Sequence, residues 1–161
     1  MLGHLYEGQD CSAARALELM GERWSLLILR DALFGGCARF SEFQASLGIA
    51  PNILTKRLSD MVASGLLAKR AHPSRPDQYV YEPTEMAREV APIIIALTTW
   101  GDRWVRPGPV AFVHGADGHE IRPALWCATC QNSVDAADVY AIPSSEAEAT
   151  SAHPHHALSP R

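Results

Sequence analysis

Residues 39–67, with the sequence RFSEFQASLGIAPNILTKRLSDMVASGLL, decide how this 161-residue chain folds. Apolar residues recur at helical spacing on both sides of a tight Gly-Ile-Ala-Pro turn at 48–51. The pattern predicts a short helix over 41–46, capped by Ser41, and a second helix over 52–64. Two short helices joined by such a turn form a helix-turn-helix.

The second predicted helix has one apolar face and one polar face. Its apolar stripe consists of Leu54, Leu58, Met61 and Val62. The polar residues opposite this stripe or on its flank are Asn52, Thr55, Lys56 and Ser59. A helix fits the major groove of DNA, where exposed donors and acceptors contact base edges and phosphates. The pattern therefore predicts a DNA recognition helix, with further DNA contacts from Arg39 and Ser41. The alternative is a solvated amphipathic helix of an unrelated bundle.

Arg57 is ambiguous in this pattern. It lies at the edge of the apolar stripe, next to Leu54 and Leu58. A DNA contact and a structural salt bridge fit this position equally well.

A β-hairpin is predicted directly after this helix. Residues 66–71 and 78–82 have strand character, and the segment 72–77 between them is polar and rich in proline. A hairpin in this place makes the wing of a winged helix-turn-helix. Arg70 and Arg75 would contact phosphates or an adjacent minor groove, although ordinary surface charge is the alternative.

The charge distribution supports DNA as the partner, although the net charge is −4. Residues 36–81 carry six basic and three acidic side chains, whereas residues 84–161 carry five basic and nine acidic ones. A basic segment on an acidic body is typical of a DNA-reading element. A winged helix that binds only proteins would lack this basic face, and this remains the alternative from another class.

Further helices are predicted on both sides of this element. Residues 12–20, capped by Ser12 or Asp10, and the apolar segment 23–34 precede it. After the hairpin, Thr84 can cap a helix that Pro92 kinks or breaks. Apolar residues at spacings of four and three follow, namely Met86, Val90, Ile93, Leu97, Trp100 and Trp104. This heptad seam predicts a homodimer that pairs through Val90, Ile93, Leu97, Trp100 and Trp104.

The four cysteines suggest two further sites. Cys11 lies at a helix start, where a thiolate is favoured, so it is a candidate redox sensor; a small packed residue is the alternative. Cys127 and Cys130 form a CxxC pair, which is half of a zinc site. His114 and His119 are the nearest further ligands, and a redox-prone pair without metal is the alternative.

Other classes of protein have little support in the sequence. It contains no nucleophile elbow, no phosphate loop and no framed pair of carboxylates, so we do not expect an enzyme. It contains no apolar run of about 18 residues and no secretory signal, so we expect a cytoplasmic protein without a membrane partner.

The chain resembles the HxlR-type family of winged helix-turn-helix transcriptional regulators, which are distant relatives of the MarR type. The motifs that carry the resemblance are Cys11, GERW at 21–24, LLILR at 26–30, RFSEF at 39–43, GIAP at 48–51, LTKRL at 54–58, GLL at 65–67, YEPT at 81–84 and WG at 100–101. Together they span roughly residues 10–104. The chain departs at Met86-Ala87, where the family often has glycine.

The resemblance implies a homodimer that presents two recognition helices to successive major grooves of a pseudo-palindromic operator. In similar members a cysteine at the place of Cys11 senses electrophiles or oxidants. We expect a repressor that a small-molecule effector or an oxidised thiol releases from double-stranded DNA.

The expected architecture is mainly α with a small β wing. It comprises a DNA-binding and dimerisation domain at 10–106, a β-rich appendage at 107–142 and a disordered tail at 143–161.

Overall fold

The structure is a computed structural model, and it describes residues 6, 8, 11–72 and 74–142. The chain divides into two compact units, Met1–Pro123 and Ala124–Arg161, which are described separately. The predicted tail at 143–161 lies outside the described residues. The predicted division into three domains remains a prediction.

The first unit is mainly helical. Its elements are α1 (Ser12–Met20), α2 (Ser25–Leu33), α3 (Phe40–Leu47), α4 (Pro51–Ala63), β1 (Leu67–His72), β2 (Arg75–Pro83), α5 (Glu85–Arg88), α6 (Ala91–Trp104), β3 (Val113–His114) and β4 (His119–Glu120). β1 and β2 pair as an antiparallel hairpin directly after α4. This order is that of a winged helix-turn-helix, as the sequence predicts.

One hydrophobic core holds the helices and the wing together. Its largest fully buried side chains are Phe43, Ile28, Leu29, Leu54, Leu58, Met61, Leu66 and Leu67. They come from α2, α3, α4, the first residue of β1 and the residue just before it, so the apolar stripe of α4 is packed against the other elements of the helix-turn-helix. Burial of this stripe fixes which face of α4 remains available to solvent.

Two helix starts differ from the sequence prediction. Cys11 caps α1, and its Sγ accepts a hydrogen bond from Ala14 N at 3.4 Å, in place of Ser12 or Asp10. α3 begins one residue before Ser41, because the Glu42 carboxylate accepts the N–H groups of the two residues that precede the helix. Ser41 therefore lies inside the first turn of α3 and is not its cap.

The predicted break at Pro92 is present. Thr84 caps α5 by accepting a hydrogen bond from Ala87 N at 3.4 Å, and α6 begins at Ala91 with Pro92 in its first turn. Pro92 lacks an N–H group, which a first-turn residue does not need. Val90 precedes the new helix and is buried in the core, so its assignment to an exposed dimer seam is wrong.

The second unit contains a small hairpin. β5 (Leu125–Cys127) pairs antiparallel with β6 (Asn132–Val134), and a 3₁₀ turn at Ala136–Asp138 follows. Gln131 connects the strands with a φ of 51°. This left-handed conformation allows a tight reversal of the chain.

Candidate nucleic-acid interface

The solvent-facing side of α4 carries the residues that the sequence predicts to contact DNA. Asn52, Thr55, Lys56 and Ser59 are all exposed. Pro51 starts the helix after the turn, and Gly48 ends α3 with a φ of 61°. The turn thus presents one polar face of α4 to solvent while the other face is fixed in the core.

Two of these residues already have partners on their own helix. The Lys56 ammonium lies 2.7 Å from Asp60 Oδ2, and 62% of the Lys56 side chain is exposed. The Thr55 hydroxyl donates to the Pro51 carbonyl at 2.8 Å, so its oxygen can still accept a hydrogen bond. The Lys56 head group remains accessible to a phosphate that displaces Asp60.

Arg57 is held by the protein, which answers the ambiguity left by the sequence. Only 14% of its side chain is exposed. Its guanidinium lies 3.4 Å from Glu22 Oε2 and 3.6 Å from Asp60 Oδ2. The geometry is that of a structural salt bridge that ties α4 to the connection between α1 and α2, and it does not fit the prediction of a DNA contact.

Arg39 and Glu42 form the start of α3. Arg39 Nε donates to Glu42 Oε1 at 2.6 Å, while Glu42 Oε2 accepts the backbone N–H groups of Ala38 and Arg39 at 2.9 and 2.8 Å. Hydrogen bonds from Ala38 N and from the Arg39 guanidinium and backbone lower the pKa of Glu42 to about 2. About half of the Arg39 side chain remains exposed, so its guanidinium is accessible beside the helix-turn-helix although Glu42 neutralises its charge.

A buried carboxylate that sequence reasoning missed positions α3. Asp31 on α2 is 4% exposed, and its Oδ2 accepts the Ser46 hydroxyl at 2.7 Å. Arg30 donates to Asp31 Oδ1 at 2.8 Å. The link from α2 to α3 fixes the first helix of the helix-turn-helix. Its partners are 15 residues apart in the chain, so no local pattern reveals them.

The wing is anchored to the same helix start. Tyr81 N on β2 donates to the Ala38 carbonyl at 2.7 Å, and Arg39 forms an isolated bridge with Val80. The residues just before α3 therefore pair with β2 as a short third strand of the wing would. This contact sets the position of the hairpin relative to the helices.

The cations of the wing have different surroundings. Arg70 Nε lies 2.9 Å from Glu82 Oε2, with 68% of the Arg70 side chain exposed. Lys69 points to the face of the hairpin opposite to that of Arg70, because adjacent strand residues alternate in direction. Its Nζ lies 4.0 Å from the centre of the Tyr79 ring. Arg75 is exposed near the tip of the hairpin.

An exposed apolar stripe runs along α6. Ile93, Leu97, Trp100 and Trp104 are 48%, 52%, 58% and 64% exposed. They repeat at spacings of four, three and four residues, which is the seam of the sequence prediction without its first member, Val90. Large apolar side chains exposed in a row mark an association surface.

The four cysteines have contrasting environments. Cys11 is exposed at the start of α1. Burial and the nearby Asp31 and Glu42 carboxylates raise the pKa of the Cys37 thiol, which makes it a poor nucleophile. Hydrogen bonds from Cys130 and Thr129 lower the pKa of the Cys127 thiol.

The predicted zinc ligands lie in different units. His114 and His119 face each other across β3 and β4 of the first unit, whereas Cys127 and Cys130 belong to the second. Among residues 11–72 and 74–142, no group of three or more His, Cys, Asp or Glu residues could hold a metal ion. Neither unit by itself therefore contains all four predicted ligands, and the Cys2His2 zinc set remains a prediction. In the same part, no helix is long and apolar enough to cross a membrane.

Comparison with known proteins agrees with this geometry. A family model described as HxlR-like helix-turn-helix matches residues 19–109. An uncharacterized HTH-type transcriptional regulator of Mycobacterium tuberculosis is 39% identical over 141 residues, which cover 86% of this chain and 87% of that protein.

Two solved structures are also similar. PA1607, described as a candidate transcription factor, matches with a TM-score of 0.76 and 32% identity over 85% of this chain and 97% of its own. The redox regulator HypR in its reduced form matches with a TM-score of 0.53 and 26% identity over 59% of this chain and 96% of its own. The family and these relatives are regulators and not enzymes, as the sequence predicts.

Proposed function

This chain belongs to the HxlR-like helix-turn-helix family of transcriptional regulators, and from that premise we propose that it is a homodimeric repressor of a pseudo-palindromic operator. The observation that carries the proposal is the exposed polar face of α4 beside the exposed wing. In this arrangement Asn52 and Thr55 contact base edges, and Lys56 contacts a phosphate. Further contacts to the DNA backbone come from exposed residues at the start of α3, on α4 and on the wing, namely Arg39, Ser41, Ser59, Arg70 and Arg75.

The test is binding of the purified full chain to DNA from upstream of its own gene, measured by fluorescence anisotropy at several salt concentrations. Specific binding that weakens steeply with salt supports the proposal. Arg88→Ala is the matched control for Lys56→Ala, because 60% of Arg88 is exposed against 62% of Lys56 and Arg88 lies on α5, outside the interface. A folded protein that binds no promoter fragment would contradict DNA binding and leave a protein-interaction module.

The dimer is proposed to form through the α6 stripe of Ile93, Leu97, Trp100 and Trp104. Pairing two copies of this stripe would remove four large apolar side chains per protomer from water. Leu97→Glu should shift the protein toward monomers in sedimentation experiments, whereas Leu97→Met should remain dimeric. Equal mass for the wild-type protein and Leu97→Glu would contradict this interface.

Release from DNA is proposed to follow oxidation of Cys11 or binding of a small-molecule effector. The exposed Cys11 thiol at the first turn of α1 supports the first route, as does the similarity to the redox regulator HypR. For the second route, a cavity of about 220 Å³ in the first unit lies between α6 and the segment 108–112. Both routes would act by changing the angle between the two recognition helices.

A further inference from the structure

The CATC turn, residues 127–130 of the second unit, is a chemical feature that DNA binding does not use. Cys127 ends β5 and pairs in register with Asn132 of β6. The four residues between them close the hairpin, with Gln131 in the left-handed conformation. The backbone therefore holds both thiols at one end of a defined turn.

The two thiols are close together and open to solvent. They lie 3.6 Å apart, with Cys130 exposed and Cys127 half-buried. A disulfide bond is about 2.05 Å long, so closure needs a movement of only about 1.5 Å. The backbone N–H of Cys130 donates to Cys127 Sγ at 3.4 Å. This bond favours negative charge on the Cys127 sulfur, which marks it as the attacking thiol.

We propose that Cys127 and Cys130 are a redox-active dithiol that low-molecular-weight disulfides oxidise to an intramolecular disulfide. The Cys127 thiolate attacks one sulfur of the reagent, forms a mixed disulfide and expels the first thiolate. Cys130 then loses its proton and attacks the Cys127 sulfur, which expels the second thiolate. The two cysteines lose two electrons in total, and the reagent gains them and leaves as two thiols.

The surroundings favour this chemistry over permanent metal binding. A zinc ion needs four ligands, or three with an open position. Among the described residues of the second unit, no third His, Cys, Asp or Glu joins the pair in a group that could hold a metal ion. A thiol pair without further ligands can still exchange with disulfides, because that reaction requires only access and a nucleophilic sulfur.

The experiment uses the full chain with Cys11→Ser and Cys37→Ser, so that only the CATC thiols react. The protein is equilibrated with mixtures of reduced and oxidised glutathione, quenched with acid, alkylated and analysed by mass spectrometry. We expect both thiols to disappear together as the oxidised fraction rises, with no glutathione retained. Adding Cys130→Ser should stop the reaction at a mixed disulfide on Cys127.

The reciprocal variant separates the roles of the two sulfurs. With Cys127→Ser, the remaining Cys130 should form its mixed disulfide about tenfold more slowly than Cys127 does, because one hydrogen bond to a charged sulfur is worth about that factor. Three results would overturn the proposal: thiols that stay reduced at all ratios, a wild-type pair that retains glutathione on both sulfurs, or one zinc ion per chain that protects the pair. None of these results depends on DNA binding.

Discussion

Replacing Lys56 by alanine should reduce the salt dependence of DNA binding and have only a small effect on the stability of the fold. Each phosphate contact to B-DNA contributes a slope of about 0.9 in a plot of log affinity against log salt. Because a dimer presents Lys56 twice, Lys56→Ala should reduce the magnitude of this slope by about 1.8. Between 50 and 200 mM salt, wild-type affinity would fall about 12-fold more than that of the variant.

Asp60 makes this value an upper limit. Its carboxylate lies 2.7 Å from the Lys56 ammonium, so it already acts as a counterion in the free protein. A phosphate that displaces Asp60 releases fewer bulk ions than a phosphate that meets a free lysine. Asp60→Asn should therefore increase affinity for DNA and steepen the slope, which is the opposite of the change expected for Lys56→Ala.

The assay is fluorescence anisotropy of a labelled operator fragment at four or more salt concentrations, with Arg88→Ala as the control. Loss of the exposed pair with Asp60 should cost only about 0.3–0.5 kcal/mol of stability, which thermal unfolding can verify. A wild-type slope for Lys56→Ala, or an equally lowered slope for Arg88→Ala, would contradict a phosphate contact by Lys56.

Further substitutions test the elements that position this interface. Arg57→Ala should lower the free energy of unfolding by about 1–2 kcal/mol in urea denaturation. The salt dependence of DNA binding by the folded variant should stay unchanged, and a reduced slope would instead make Arg57 a DNA contact. Ser46→Ala should cost about 1.5–3 kcal/mol in the same assay, because the Asp31 carboxylate loses a hydrogen bond, and no loss would contradict the link between α2 and α3. The pKa of Glu42 is about 2 in the folded chain against an ordinary 4.5, so its stabilisation is complete above pH 4.5 and is lost as pH falls through 2. Glu42→Gln should flatten that part of the stability profile, and an unchanged profile would refute the assigned pKa. Cys11→Ser should preserve the cap of α1 and DNA binding but abolish release by diamide; a persisting response would exclude Cys11 as the sensor.

Local periodicity was sufficient to predict the two faces of α4. Leu54 and Leu58 recur at helical spacing, so one face had to be buried, and Asn52 and Lys56 followed on the other. The wing was predicted for a similar reason, because Pro and polar residues separate two strand-like runs. These features depend on residues that are near each other in the chain.

Long-range partners could not be predicted in this way. Arg57 meets Glu22, which is 35 positions away, and Asp31 meets Ser46 between two different helices. A heptad spacing also cannot separate core from surface. Val90 fits the same repeat as Leu97, but α6 begins only after Val90. The side chain of Val90 is therefore buried in the core.

Helix caps depend on competition between neighbouring side chains. Ser41 has a good capping side chain, yet Glu42 accepts two backbone N–H groups and starts α3 earlier. Cys11 likewise takes the capping position of α1. Sequence preferences rank residue types at a cap, but only the backbone path decides which residue occupies it.

Selection of genomic DNA fragments by the purified full chain and by Asn52→Ala is the decisive test of whether the polar face of α4 reads bases. The wild-type protein should enrich a few fragments sharing an inverted repeat whose half-sites lie about one helical turn, or 34 Å, apart. Asn52→Ala should enrich a broader set, with relaxed preference at one position in each half-site. Fragments without a shared motif, or the same motif with unchanged preference for Asn52→Ala, would contradict the assignment of the α4 face to base reading.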